Sequence, residues 1–176
     1  MKYLKYSFIV IAILIAGLAV RHFVWGPPAT ISSEALYAAS FPDSNGDVQK
    51  LGQWRGKLLV VNFWATWCPP CREEMPELSK FHEHYQNQGV VVVGIATDDV
   101  TKMQSFGKEL KVSYPLLAGD LDAMNLANAL GNNKGILPYT VVLDQQGNVV
   151  KTFFGRVNSQ LLEETLLPLM KPSSTS

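Results

Sequence analysis

Val60-Val61-Asn62-Phe63-Trp64-Ala65-Thr66-Trp67-Cys68-Pro69-Pro70-Cys71-Arg72-Glu73-Glu74-Met75-Pro76 passes from a β-branched and aromatic run directly into residues that favour a helix. Residues 58–64 form a continuous run broken in polarity only by Asn62, which predicts a buried strand. Residues 72–88 then carry Met75, Leu78, Phe81 and Tyr85 at helical spacing, with Pro76 expected to kink the helix and Gly89 to end it. Cys68 therefore falls at a helix N-terminus, where unpaired amides and the helix dipole favour negative charge. Such a place lowers a thiol pKa and raises the fraction of thiolate, the nucleophilic form. Proline at the first helical position costs nothing, because that amide has no partner within the helix. Cys71 lies one turn further, so its sulfur can face that of Cys68. This geometry suits a mixed disulfide with a substrate, resolved by the second thiol.

These are the only two cysteines in 176 residues. A structural disulfide stabilises by closing a long loop, and this pair closes almost none. A zinc cage needs further ligands, and the three histidines are poorly placed. His22 is in the N-terminal segment, and His82 and His84, two apart on a helix, face different directions. The pair reads as redox-active, with no metal site and no cofactor beyond its own disulfide. No nucleotide-binding motif appears either, since the Gly-rich stretch near Asn132 lacks a phosphate-cradling pattern.

Outward from the cysteines, strands and helices alternate. Asn45-Gly46 between short apolar stretches signals a hairpin. Residues 90–95 read as a second buried strand, 101–111 and 122–130 as helices, and 139–143 and 149–154 as strands around a turn at 144–148. A last helix spans 159–170. The order indicates an α/β domain with a mixed central sheet.

The N-terminus has another composition. Lys2 and Lys5 precede an almost wholly apolar run from Ser7 to Val20, the pattern of an export signal. Counted on to Trp25, the segment is long enough to span a bilayer. Gly17 and Ala19, the small residues flanking Leu18, leave a cleaved signal peptide open as the alternative. The expected organisation is an anchor or signal at 1–25, a Pro- and Ser-containing linker at 26–35, the domain at 36–171 and a polar tail at 172–176. Lys plus Arg and Asp plus Glu both total 15, so no global basic field exists to hold nucleic acid.

Residues 63–76, with Cys68-Pro69-Pro70-Cys71 and Pro76, resemble the thioredoxin superfamily and, within it, the TlpA/ResA-like group of exported reductases. Gly135-Ile136-Leu137-Pro138-Tyr139-Thr140 resembles the cis-proline loop of that group, and residues 114–133 resemble its central insertion. The resemblance covers roughly residues 41–170. It implies a thioredoxin fold with an N-terminal hairpin extension and a central insertion. It also implies that Cys68 attacks, Cys71 resolves, and cis Pro138 lies against the dithiol while Leu137 pairs with a substrate backbone. Trp64 is expected in the core and Trp67 at the surface, where with Pro69 and Pro70 it would meet substrate. Where ordinary thioredoxin buries an aspartate, this chain has Asn62, which cannot take a proton. The group places an acid at the end of the next strand, here Asp98 or Asp99. Asp99 is the favoured candidate, with capping of the following helix as its other role.

The implied activity is reduction of disulfides in exported proteins, with electrons from a membrane thiol donor of DsbD type. Cytochrome c maturation and oxidase copper-site assembly are the destinations that the resemblance suggests. The domain would face the periplasm from the inner membrane, or be periplasmic if the signal is cleaved. Three rivals remain. A peroxidase of peroxiredoxin type would want a proline where Val61 stands. A Cu(I)-handling module would use both thiolates. An oxidase or isomerase would typically carry a histidine between the cysteines, which Pro70 does not supply.

Overall fold

A computed structural model describes residue 11, residues 13–17 and residues 31–170. Most of the expected membrane segment, the start of the linker and the polar tail lie outside the described residues. Ile11, Ile13, Leu14 and Ile15 are helical and exposed. Among the described residues, no helix is long and apolar enough to cross a membrane.

The domain opens with helix α1 (Glu34–Ala38), which begins inside the stretch read as linker. Leu36 and Tyr37 on it are buried, and Ile31 packs against the same core, so chain order is established before residue 36. The hairpin β1 (Ser40–Pro42) and β2 (Val48–Lys50) follows as expected. Asp43 closes its turn by accepting from the amides of Asn45 and Asp47, and Gly46 takes a left-handed φ of 89°. Next come β3 (Leu58–Trp64), α2 (Pro69–Tyr85), β4 (Val90–Ala96) and α3 (Val100–Leu110). The chain continues with β5 (Leu116–Ala118), α4 (Asp120–Ala129), β6 (Tyr139–Leu143), β7 (Val149–Phe154) and α5 (Ser159–Leu166).

The strand order is β5-β4-β3-β6-β7. β3 runs parallel to β4, and β4 to β5, while β6 is antiparallel to β3 and β7 to β6. All seven residues of β3 are buried, because helices cover both faces of the sheet. Side chains alternate across the strand. Leu58, Val60 and Trp64 join one core with Met75 and Leu78 of α2, Met103 of α3 and Leu162 of α5. Leu59, Val61 and Phe63 join the other, with Leu36 of α1 and Ala123 and Leu126 of α4. Asn62 shares the parity of Val60 and Trp64, so it points towards α2, and this places the site.

The residues expected as an insertion contribute β5 and α4. β5 was not expected as a strand: three residues carry no readable period, and it forms because β4 offers an open edge. The last helix ends earlier than expected. Pro168 cannot continue an α-helix, and Leu167–Leu169 is a 3₁₀ turn.

Candidate active site

Cys68 caps α2, and its Sγ accepts the Cys71 amide at 3.4 Å. Pro69 and Pro70 fill the first helical positions. The two cysteines form a disulfide, with Cα atoms 5.4 Å apart. Cys68 keeps 3% exposure and Cys71 none, so Cys68 is the residue of the pair that solvent reaches. Trp67 is 69% exposed beside it, whereas Trp64 is fully buried against Phe106.

The loop leading into the dithiol is pinned by the end of β4. The Thr97 amide donates to the Trp64 carbonyl at 2.9 Å, and the buried Asp98 carboxylate accepts from the Thr66 amide at 2.6 Å. The Leu137–Pro138 bond is cis, as the resemblance implies. Its loop is closed by Asn132, whose carboxamide both accepts from the Ile136 amide and donates to the Ile136 carbonyl.

Asp99 takes the capping role. It is the N-cap of α3, accepts from the Lys102 amide at 3.0 Å and pairs with the Lys102 ammonium at 3.2 Å. The backbone hydrogen bond from Lys102, then its side chain, holds the Asp99 carboxyl below the ordinary range. An acid so stabilised as its anion is a weak base at neutral pH.

The helix that carries the dithiol also holds a buried carboxyl not among the sequence expectations. Glu74 is fully buried on α2, one turn beyond Cys71 and on the same helix face. Its Oε1 accepts from Asn62 Nδ2 at 2.8 Å, and its Oε2 accepts from the Val157 amide at 2.8 Å. The Asn62 carboxamide also donates to Thr140 Oγ1 at 3.0 Å, across the β3–β6 pairing. Burial outweighs both hydrogen bonds and the nearby Arg156, and pushes the Glu74 pKa up to about 7. Asn62, on the strand, thus holds a carboxyl that comes from the helix. The signal was present in the sequence: Cys71, Glu74, Met75 and Leu78 fall on one helical stripe, and an acid on a buried stripe is unusual.

The redoxin family matches residues 30–166, most of the chain and all of this site. The chain belongs to the redoxin family. The thiol:disulfide interchange protein DsbE of Pseudomonas aeruginosa is 33% identical over 147 residues, covering 81% of this chain and 77% of that protein. The thiol–disulfide oxidoreductase ResA of Bacillus subtilis is 27% identical over a 181-residue alignment, covering 99% of this chain and 96% of that one. Among solved structures, a secreted thiol–disulfide isomerase from Corynebacterium glutamicum superposes with a TM-score of 0.68 at 27% identity, covering 76% of this chain and 83% of that one. This redoxin is a thiol–disulfide oxidoreductase of the ResA and DsbE type, an enzyme acting on protein disulfides, and it carries a Cys68–Cys71 pair.

Proposed function

We propose that this redoxin is a reductase for disulfides in exported proteins, with Cys68 attacking and Cys71 resolving. The Cys68 thiolate attacks one sulfur of a substrate disulfide, forming a mixed disulfide and releasing the other sulfur as a thiolate. The Glu74 carboxylate takes the proton of the Cys71 thiol. Cys71 then attacks Cys68 Sγ, the second substrate thiolate leaves, and the Cys68–Cys71 disulfide forms. Two electrons pass to the substrate, and a membrane thiol donor of DsbD type returns them. Trp67, Pro69, Pro70 and Leu137 form the surface that the substrate meets, and Pro138 packs beside the sulfurs.

The observation that carries the direction is the buried carboxyl one turn from Cys71. Strong oxidants of this chemistry owe their potential to a stabilised reduced form. A neighbouring carboxylate does the reverse, because like charge disfavours the thiolate. Pro70 also supplies no donor that would stabilise it. Equilibration of the pair with a dithiothreitol redox buffer should give a potential close to thioredoxin's, about −270 mV. A value near that of the strong oxidant DsbA, about −120 mV, would make the enzyme an oxidase.

The domain is held at the outer face of the cytoplasmic membrane by residues 1–25, from which it serves cytochrome c maturation or oxidase assembly. The basic start and apolar run support the anchor, and the ResA alignment over 99% of this chain includes this segment. Carbonate washing of membranes should leave the full-length chain in the pellet, and protease added to spheroplasts should digest its domain. A soluble mature form beginning near Val20 would replace the anchor with a cleaved signal.

A further inference from the structure

The four residues between β7 and α5 join separate parts of the site. The Gly155 amide donates to the Pro138 carbonyl at 2.9 Å, and the Val157 amide donates to Glu74 Oε2 at 2.8 Å. Gly155 makes the turn between them with a φ of 88°, in the left-handed region that glycine enters freely. From the middle of this segment Arg156 reaches back to α2, where its Nη1 donates to Glu73 Oε2 at 2.6 Å. The two side chains are 48% and 60% exposed, and a surface pair of this kind adds little to stability.

We propose that Arg156 is a positioning residue for the second thiol step: anchored on Glu73, it fixes the Val157 amide against Glu74 and sets a positive charge beside the carboxyl that takes the Cys71 proton. The proposal rests on the assignment of Glu74 as that acceptor. Arg156 directly precedes the residue whose amide Glu74 accepts, so movement of its backbone carries the amide with it. Its charge acts in the same direction. Burial raises the Glu74 pKa, and the Val157 amide, the Asn62 carboxamide and the Arg156 guanidinium each work against that rise. Asn62 and Val157 contribute neutral donors, and Arg156 is the cation of the set. Glu77, on the same helix, opposes ionisation of Glu74. Tyr114, ahead of β5, faces it too, but burial pushes the phenol pKa up and keeps it neutral. The strands β3 and β6 present the neutral Asn62 and Thr140. Loss of the guanidinium would remove an attraction and also leave the Glu73 charge uncompensated next to Glu74 in the chain.

The test mixes the reduced full-length chain, in detergent, with a fluorescent single-cysteine peptide capped by thionitrobenzoate. Attack by Cys68 releases coloured thionitrobenzoate and leaves the peptide joined to the enzyme. Attack by Cys71 on Cys68 Sγ then frees the peptide thiolate, read as a fall in fluorescence anisotropy. This second rate is followed from pH 5 to 9. In the native enzyme it should rise through an inflection near 7. In Arg156→Gln the inflection should move to higher pH, so that the rate at pH 7 falls roughly two- to fivefold and the two proteins converge at pH 9. Arg156→Lys keeps the charge and should hold the inflection close to its native place. An inflection unmoved in Arg156→Gln, a rate lowered equally at every pH, or a lysine variant indistinguishable from the glutamine one would overturn the proposal. A native profile without an inflection that Glu74→Gln removes would instead overturn the acceptor assignment on which it rests.

Discussion

Cys68→Ser abolishes exchange with protein disulfides, by about a thousandfold or more, while Cys71→Ser keeps the first attack and stops at the mixed disulfide. The asymmetry follows from position. Cys68 sits at the helix N-terminus with its sulfur accepting an amide, and it retains the exposure that Cys71 lacks. An incoming disulfide must approach in line with the attacking sulfur, and that access exists at Cys68 alone of the two. Once the mixed disulfide has formed, Cys71 is the only other thiol in the chain that can release the product. Non-reducing electrophoresis of Cys71→Ser after incubation with an oxidised substrate should show a covalent adduct that dithiothreitol removes. Cys68→Ser should show almost none. Adducts trapped on Cys71 in Cys68→Ser, at a yield matching the other variant, would reverse the assignment.

The parts of the fold that the sequence made legible are those with a period or a special residue. β3, β4, β6 and β7 are runs of branched and aromatic residues long enough to show their character, and Asn45-Gly46 announces its turn. The helix N-terminus at Cys68 was readable because a strand, two prolines and a helical stripe meet there. β5 and α1 are short, and each exists because of what it packs on: β4 for the first, the second core for the other. Their cause is tertiary, so local residues do not reveal it. The buried carboxyl proposed as proton acceptor is illegible in the sequence for a related reason. Asn62 shows that the usual carboxyl is absent from the strand, but only the fold brings Glu74 of α2, Thr140 of β6 and the Val157 amide to the same carboxamide-lined point. The adjacent pair Asp98 and Asp99 divides its work differently from what their sequence suggests. Asp98 turns in to hold the Thr66 amide, and Asp99 turns out to cap α3. One bond of rotation along the chain separates the two, which is below what a sequence reading resolves.

Glu74→Gln should slow resolution of the mixed disulfide by roughly a hundredfold and remove an inflection near pH 7 from its rate. In the native enzyme the carboxyl ionises at about 7, so the fraction able to accept the Cys71 proton rises through neutral pH. Glutamine keeps the shape and cannot take a proton. It also removes a negative charge from beside the thiols, so the Cys68 and Cys71 pKa values should fall. Stability carries a second, independent signature. The Glu74 pKa is raised in the fold from an ordinary 4.5 to about 7, so the folded state holds the proton more tightly than the unfolded one. The associated stability is full below the unfolded value and is lost as pH rises through the folded value, on the order of 3 kcal/mol across that window. Denaturation of the native enzyme should therefore show falling stability between pH 4.5 and 7, and Glu74→Gln should flatten that slope. At pH 5 the variant should be the less stable protein, because glutamine presents an NH₂ where Asn62 or Val157 needs an oxygen. At pH 8 the gap should close. Asp99→Asn serves as the comparison: asparagine caps a helix about as well as aspartate, so the change loses only the exposed ion pair with Lys102, costs little stability and leaves the inflection in place. Stopped-flow resolution of a preformed mixed disulfide from pH 5 to 9 reads both variants. An inflection near 7 that survives in Glu74→Gln, or one that vanishes in Asp99→Asn, would return the proton to the other carboxyl.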